Sequence, residues 1–374
     1  MSNESNREAA GLRGPVKTCV EEINYPGMTA PDGTKMPERR DIHTTEYAVD
    51  GRLLTHRGTN SDGSEWVRTQ SYKTDGRLSR IVSDGTGWPR AESVFSYDKA
   101  GKLVTITNSP QEGDRTEFHY DTRGRKTAIQ KFDTKTLHRA QNSSLVGSLW
   151  DAAVSTGIGV PNGGSITTLY DGNDPTDAQI QDSKGRIVTR LIRTYDANGR
   201  ILEEKQIQEN PALLFAERFS TEQQIELTDT QLEAMNAAMK LMLAGQKGTG
   251  ISYSYDAQGR VIEMREGNFA FARITTTRYN EQGDKAEERT NIVGNSVFPI
   301  GVPHSMNENG TLVPSEPVAN ISASVGVPAG DSETHYTYKY DNYGNWTEET
   351  MSCRFSPGGA FESSTRRRRS LTYY

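Results

Sequence analysis

Apolar and polar positions alternate along this chain in short runs, and each run stops at a turn. In His335-Tyr336-Thr337-Tyr338-Lys339-Tyr340 the three tyrosines fall on one side of a strand, with His335, Thr337 and Lys339 opposite. The same period of two places Phe95 with Tyr97, Phe118 with Tyr120, and Tyr253 with Tyr255. Strict alternation marks a half-buried antiparallel strand, whose successive side chains point to opposite faces. Aromatic residues that share a face can pair across neighbouring strands. The pattern predicts an all-β chain.

The turns between these runs form a repeat. Eight tyrosines stand four residues before a glycine: Tyr47/Gly51, Tyr72/Gly76, Tyr97/Gly101, Tyr120/Gly124, Tyr195/Gly199, Tyr255/Gly259, Tyr279/Gly283 and Tyr340/Gly344. A ninth copy, around Gly185, has Gln181 in the tyrosine position. In five copies the tyrosine is followed by Asp98, Asp121, Asp196, Asp256 or Asp341. A short carboxylate there can accept backbone N–H groups of the turn. Gly101, Gly124, Gly199, Gly259 and Gly344 suit the left-handed residue that closes a type I turn with a bulge. In the first two copies Asp50 and Asp75 directly precede the glycine. Further Asp-Gly or Glu-Gly turns lie at 32–33, 62–63, 84–85, 112–113 and 266–267. Turn signals thus recur at the spacing of one strand plus one turn, and a repeat of this kind decides the fold. We expect a long antiparallel β-meander forming one curved, partly rolled sheet, with Tyr97, Tyr120, Tyr255 and Tyr340 on its concave or covered face.

Three segments interrupt the meander. Leu145, Leu149, Trp150 and Val154 have near-helical spacing, which predicts a helical insertion near 143–160. Across 210–245, Asn210-Pro211 can start one helix; Thr230 and Glu233 form a capping-box pattern for the next, and Gly245 stands at its C-cap position. Leu232, Met235, Met239 and Leu243 line one face of that helix, which should lie against the sheet as a plug or lid. Five prolines between 295 and 331 predict an extended surface loop. Residues 1–10 read as a disordered tail, and 11–374 as a single domain.

The Tyr-Asp-x-x-Gly-Arg-Leu unit resembles that of the YD-repeat (Rhs-type) family, over most of residues 40–350. The ends, Gly11-Leu-Arg-Gly-Pro-Val-Lys17 and Tyr340-Asp-Asn-Tyr-Gly-Asn-Trp346 through Arg369-Ser-Leu-Thr-Tyr-Tyr374, resemble those of small bacterial members. The resemblance implies a strip of antiparallel hairpins. Large members wind that strip into shells around toxin domains or use it as an extracellular scaffold. The core-closing segment of those large members has no counterpart here, and the length falls short of a closed cocoon.

Composition adjusts this picture. Only 33% of residues are hydrophobic while 25% are charged, as suits a thin sheet with one solvated face. A net charge of −6 argues against nucleic acid as a partner. The run Arg366-Arg367-Arg368-Arg369 is split two and two by strand alternation, and charges on a terminal strand discourage edge pairing. No stretch is long and apolar enough for a transmembrane helix, so no membrane span is expected. The polar start lacks the apolar core of a secretion signal. The expected location is the cell envelope or exterior if a signal was removed, and otherwise the cytoplasm.

Candidate chemistry is sparse. The six histidines are dispersed without metal-ligand spacing, so neither a metal nor another cofactor is expected. The glycines of 245–250 lack phosphate-loop spacing. Glu203-Glu204 and Glu287-Glu288 are neighbours in strand-like sequence, point to opposite faces, and cannot act as dyads. Cys19 and Cys353 are expected to be free, buried thiols; a bond between them would need the sheet ends to meet in an oxidising compartment. The aromatic face of Phe95, Tyr97, Phe118, Tyr120, Tyr253, Tyr255, Tyr338 and Tyr340 is either the core side of the sheet or a platform for a ligand such as a sugar. With no nucleophile paired to a base, the chain reads as a non-enzyme. Two functions remain: a bacterial envelope or exterior scaffold binding a carbohydrate or protein, and an accessory or remnant module of an Rhs-type toxin-delivery system that shields or docks a partner protein.

Overall fold

The computed structural model describes residues 5–29, 35–109, 114–132, 149–156, 160–161, 163–213, 228–243, 249–267, 271–294, 304–306, 312–314, 330–355 and 358–374. The first strands are β1 (Val16–Tyr25), β2 (Met28–Thr29), β3 (Lys35–Met36), β4 (Arg39–Tyr47), β5 (Leu53–Thr59), β6 (Glu65–Tyr72), β7 (Leu78–Gly85), β8 (Trp88–Tyr97) and β9 (Leu103–Ser109). There follow β10 (Arg115–Tyr120), β11 (Lys126–Phe132), β12 (Ser165–Asp171), β13 (Asp174–Gln181), β14 (Ile187–Tyr195), β15 (Ile201–Gln208), β16 (Thr249–Tyr255), β17 (Val261–Gly267), β18 (Phe271–Tyr279) and β19 (Lys285–Gly294). The last are β20 (His304–Met306), β21 (Leu312–Pro314), β22 (Gly330–Tyr340), β23 (Trp346–Arg354) and β24 (Glu362–Tyr373). Helices are α1 (Asn6–Ala9), α2 (Leu149–Thr156) and α3 (Asp229–Leu243).

Twenty strands belong to one antiparallel sheet, while β2–β3 and β20–β21 are separate hairpins. Pairing follows chain order, as the meander predicts, but β1 pairs with both β24 and β4. The ladder therefore returns on itself and has the connectivity of a closed antiparallel barrel. This corrects the expectation of a partly rolled strip. A strip this long curls under its own twist, and pairing its ends satisfies the backbone groups that a free edge would expose. Closure also corrects the exclusion of a membrane span. No helix among the described residues is long and apolar enough to cross a bilayer. A closed antiparallel ladder, however, is the β arrangement whose backbone is satisfied in lipid, so helical hydropathy alone could not support that exclusion.

The turn unit forms as its sequence dictates. The glycines of all nine copies have φ between 75° and 90°. In the copy at Asp98, its N–H donates to the Lys102 carbonyl at 2.9 Å and the Gly101 N–H to the Asp98 carbonyl at 3.1 Å, beside a register shift at Ser96/Tyr97. The Asp121 carboxylate accepts the N–H groups of Arg123 and Arg125, both at 2.9 Å. Asp196, Asp256 and Asp341 do the same in their own turns.

The arginine after the glycine has a role that the repeat pattern did not reveal. Arg125 bonds back to Asp121 at 2.7 Å while its guanidinium lies 4.7 Å from the Tyr170 ring centroid. Arg52 covers Tyr72, Arg77 covers Tyr97, and Arg200 covers Tyr255 at similar distances. The covered tyrosine donates its hydroxyl to the carbonyl at the start of the earlier strand, as in Tyr72 to Leu53, Tyr97 to Leu78 and Tyr255 to Ile201, each at 2.7 Å. Each such pair bolts one turn to the next.

The chain divides into two compact units. The first comprises Met1–Arg115, Thr277–Arg289 and Ser332–Tyr374. Residues 5–10, expected within a disordered tail, instead form a capped turn: Ser5 and Glu8 make a capping box, and the Arg7 N–H donates to the Gly51 carbonyl at 3.0 Å. Leu12, Val16, Cys19 and Tyr47 form a small core with Leu53, Leu371 and Tyr373 packed on it. Beside it lies a latch. Asn345, only 2% exposed, accepts the Arg13 N–H at 2.6 Å and donates to the Arg13 carbonyl at 2.9 Å and the Tyr373 hydroxyl at 3.0 Å. Arg13 also donates to the Gly344 and Gln282 carbonyls, and the Tyr343 ring stacks on Tyr373 and closes over Gly14.

The second unit comprises Thr116–Thr276 and Thr290–Asp331. Helices cover both faces of its sheet. On the face of Leu191 and Arg193, α2 buries Trp150 and Ala153, and Asp151 bonds Arg193 at 2.9 Å. On the face of Gln179 and Arg190, α3 buries Leu232, keeps Met235 and Met239 half-buried, and bonds Asn236 to Asn210 at 2.7 Å. Its capping box is Thr228 with Gln231, two residues before the pair read from the sequence, because Thr228 is the side chain that meets its own third helical residue. Leu145, Leu214, Phe215 and Gly245 lie outside the described residues, as does most of 295–331 apart from the β20–β21 hairpin.

Two substitutions test these devices. Gly101→Ala forces a side chain into left-handed backbone and brings its Cβ to 2.9 Å from Arg77 Nη1; we expect a loss of about 1–2 kcal/mol. Asn345→Ala leaves the latch groups of both chain ends unpaired, and should cost about 2–3 kcal/mol. Urea unfolding checks both, and a neutral Asn345→Ala would remove the latch from the account.

Candidate functional site

In the first unit, β22, β23, β24, β1, β4, β5 and β6 are successive neighbours. Their register lays out two parallel rows of side chains on the more buried face. One runs Arg369, Glu21, His43, Gly58, Trp66, and the other Tyr338, Glu349, Arg367, Ile23. Arg367 and Arg369 both donate to Glu21 at 2.9 Å, and Arg367 reaches Glu349 at 2.8 Å. Both guanidiniums cover the Trp346 ring, at 5.0 and 3.5 Å. Arg366 and Arg368 turn to the exposed face, where they meet Glu348. The arginine run is therefore split two and two, as strand alternation requires.

Glu21 and Arg367 are held in their ionised forms. Burial alone pushes the Glu21 carboxyl up, but the guanidiniums of Arg367 and Arg369 outweigh it and hold the group below its usual range. Burial also opposes the charge on Arg367, and Glu21 and Glu349 overcome it. Burial, then the Glu349 charge, raises the Tyr338 phenol. Next along the sheet, His43, His56 and Trp66 meet edge to face, with ring centroids 5.8, 5.7 and 4.7 Å apart. Gly58 makes this contact feasible: a Cβ there would lie 2.6 Å from the Trp66 ring. Burial first, then His43 and Arg68, pushes the His56 pKa down.

The eight aromatic residues read from the sequence are distributed between the units. Tyr338 and Tyr340 belong to this tract, with ring centroids 5.8 Å apart. The Tyr340 hydroxyl is engaged by Asn280 at 2.8 Å and Asp284 at 2.9 Å. Phe95 and Tyr97 are half-buried on β8, where Tyr97 serves as a turn bolt. In the second unit Phe118 is buried under Lys126, Tyr120 is half-buried two residues on, and Tyr253 and Tyr255 have ring centroids 6.5 Å apart. There Arg193 lies 4.9 Å from the Trp150 ring centroid and bonds Glu204 at 2.8 Å, a second arginine held over a tryptophan by a buried glutamate.

Sequence reasoning missed Glu21, His43, His56, Trp66 and Trp346. Their one available signal was the match between the alternating arginines of β24 and the acids of β1 and β23. Elsewhere, Glu287, Glu333 and His335 bring potential ligand atoms within 4.8 Å of one another. Arg289 and Arg354 already pair with those carboxylates. Cys19 and Cys353 are not joined in a disulfide, Cys353 Sγ lies 3.2 Å from Thr334 Oγ1, and burial pushes the Cys19 thiol up to about 11.

No protein-family model matches the chain. No curated protein matches it. Among solved structures the chain is similar to a porin-like protein from Bacteroides uniformis ATCC 8492, at 13% identity over 96% of this chain and 98% of that one, with a TM-score of 0.31. It is also similar to a chain of the TcdB2-TccC3-Cdc42 structure, at 14% identity over 89% of this chain and 16% of that one, with a TM-score of 0.24. Both TM-scores are low, and the architecture described above rests on this chain's own pairings.

The histidine pair makes a pH prediction. Because His56 has a lowered pKa in the fold, its contribution is complete above the unfolded value near 6.5 and is lost as pH falls through the folded value. We expect the difference in stability between the native protein and His56→Gln to shrink as pH drops from about 7 to about 5. Urea unfolding followed by tryptophan fluorescence measures it, and a constant difference would contradict the shift.

Proposed function

We propose that this chain is a non-enzymatic YD-type repeat scaffold of the bacterial envelope or exterior, binding carbohydrate along the tract of Tyr338, Trp346, Arg367, Glu21, His43 and Trp66. The observation carrying this reading is the interleaving of half-buried aromatic rings with arginine–glutamate pairs fixed by mutual bonds. Aromatic faces accept the C–H faces of sugar rings, while fixed planar guanidinium and carboxylate groups can bond hydroxyls around them. The same pairing disfavours proton transfer, which works best with a group titrating near the working pH. Glu21 is held away from that range by its arginines. The YD-type resemblance supports the scaffold role and the envelope location.

A glycan array with the purified protein tests the reading, followed by Tyr338→Phe and Tyr338→Ala with far-ultraviolet circular dichroism as a folding control. Tyr338→Phe should keep most of the affinity, and Tyr338→Ala should weaken it by roughly three- to tenfold, as expected for loss of one stacking contact. Retention of no glycan, or hydrolysis of one that stops when a single carboxylate is changed, would overturn the proposal.

A further inference from the structure

We propose that the crevice between α3 and strands β13 to β15, in the second unit, binds a small carboxylated sugar of the uronic-acid class. It is separate from the tract discussed above, which belongs to the first unit. Gln179, Arg186, Ile187, Arg190, Glu209, Asn210 and Lys240 line an open crevice of about 540 Å³. That is within the range of a site for one small molecule.

Charge and hydrogen-bonding capacity at this place are unevenly matched. Arg186 is shared between Asp182 and Asp229, and Arg190 is paired with Asp177 and lies 3.8 Å from Glu209. Lys240 is exposed and has no ion-pair partner among the described residues. Around these pairs, Arg190 Nε, Asp177 Oδ1 and Asn236 Oδ1 are buried without hydrogen-bond partners among the described residues. Of the residues that carry them, Arg190 lines the crevice with Lys240, Asp177 pairs with Arg190, and Asn236 stands one helical turn before Lys240 and bonds Asn210 of the lining. Unpaired buried polar groups are costly, and sites that carry them are commonly completed by water or ligand.

The donor set selects the ligand chemistry. The Lys240 ammonium and the Gln179 amide can receive a carboxylate. Glu209 accepts from hydroxyl donors, and Ile187 offers an apolar patch to a ring face. A carboxylated pyranose presents all three features. A neutral sugar leaves Lys240 uncompensated, and a bare carboxylate leaves Glu209 and Ile187 unused.

Isothermal titration calorimetry with glucuronate, glucose and acetate tests the proposal on the full chain, its Lys240→Ala variant and its Lys240→Arg variant. Glucuronate should bind saturably and at least about tenfold more tightly than glucose or acetate. Lys240→Ala should lose about tenfold or more, and Lys240→Arg should stay within about threefold of the native protein. Lys240 is exposed on the helix, and an unchanged melting temperature would confirm that its removal leaves the fold intact. Absence of saturable glucuronate binding, equal binding by Lys240→Ala, or binding of glucose or acetate as tight as that of glucuronate would overturn it.

Discussion

The arginine that leaves a turn and covers the next tyrosine, as at Arg52, Arg77, Arg125 and Arg200, is the contact on which this sheet depends. A single hairpin is marginal in water, and a low-hydrophobicity chain cannot stack a thick core on each one. The guanidinium resolves this locally. It neutralises the aspartate of its own turn, spreads over an aromatic face, and leaves that tyrosine hydroxyl to cap a carbonyl of the earlier strand, as Arg77 and Tyr97 do. Turn geometry, cation–π attraction and a satisfied backbone group are thereby concentrated at one rim contact. Exposed pairs of this kind contribute little singly, and their effect comes from repetition along the sheet.

Closure places a different demand on the ends. β1 must pair with β24 across almost the whole length of the chain, and chain connectivity does nothing to help it. The contact is accordingly dense. Asn345 holds the backbone of Arg13 from both sides, Tyr343 lies over Gly14, and the alternating arginines of β24 meet Glu21 on one face. In this last repeat Asn345 occupies the place that arginine holds in six of the nine copies, Lys102 and Asp284 standing there in two others. The shorter amide bonds the backbone of the N-terminal segment as well as the hydroxyl of Tyr373.

The two units protect their polar groups differently. In the second, helices cover both faces of the sheet, so consecutive residues Val188 and Thr189 are both buried. In the first, the described strands of the tract are buried mainly on one face, and the charges there are balanced by cross-strand partners. Both units hold an arginine over a tryptophan with a glutamate, half-buried in Arg369/Trp346/Glu21 and buried in Arg193/Trp150/Glu204. Such a pair survives burial because each charge is bonded as well as attracted.

Local chemistry made much of this legible in advance. Left-handed glycines, aspartate-capped turns, alternating strands and antiparallel order follow from contacts within a few residues, which sequence spacing encodes directly. The bounds of α3 were also approachable, although Thr228 rather than Thr230 caps it. Long-range pairing was not legible. The return of β1 to β24 depends on twist accumulated over the whole sheet, and residues such as Glu21 and Arg369 are neighbours only because of it. The tract of Glu21, His43, Trp66 and Trp346 therefore existed in the sequence only as scattered residues. Tertiary pairing decided which of them met, because a cross-strand contact is set by register and closure rather than by distance along the chain.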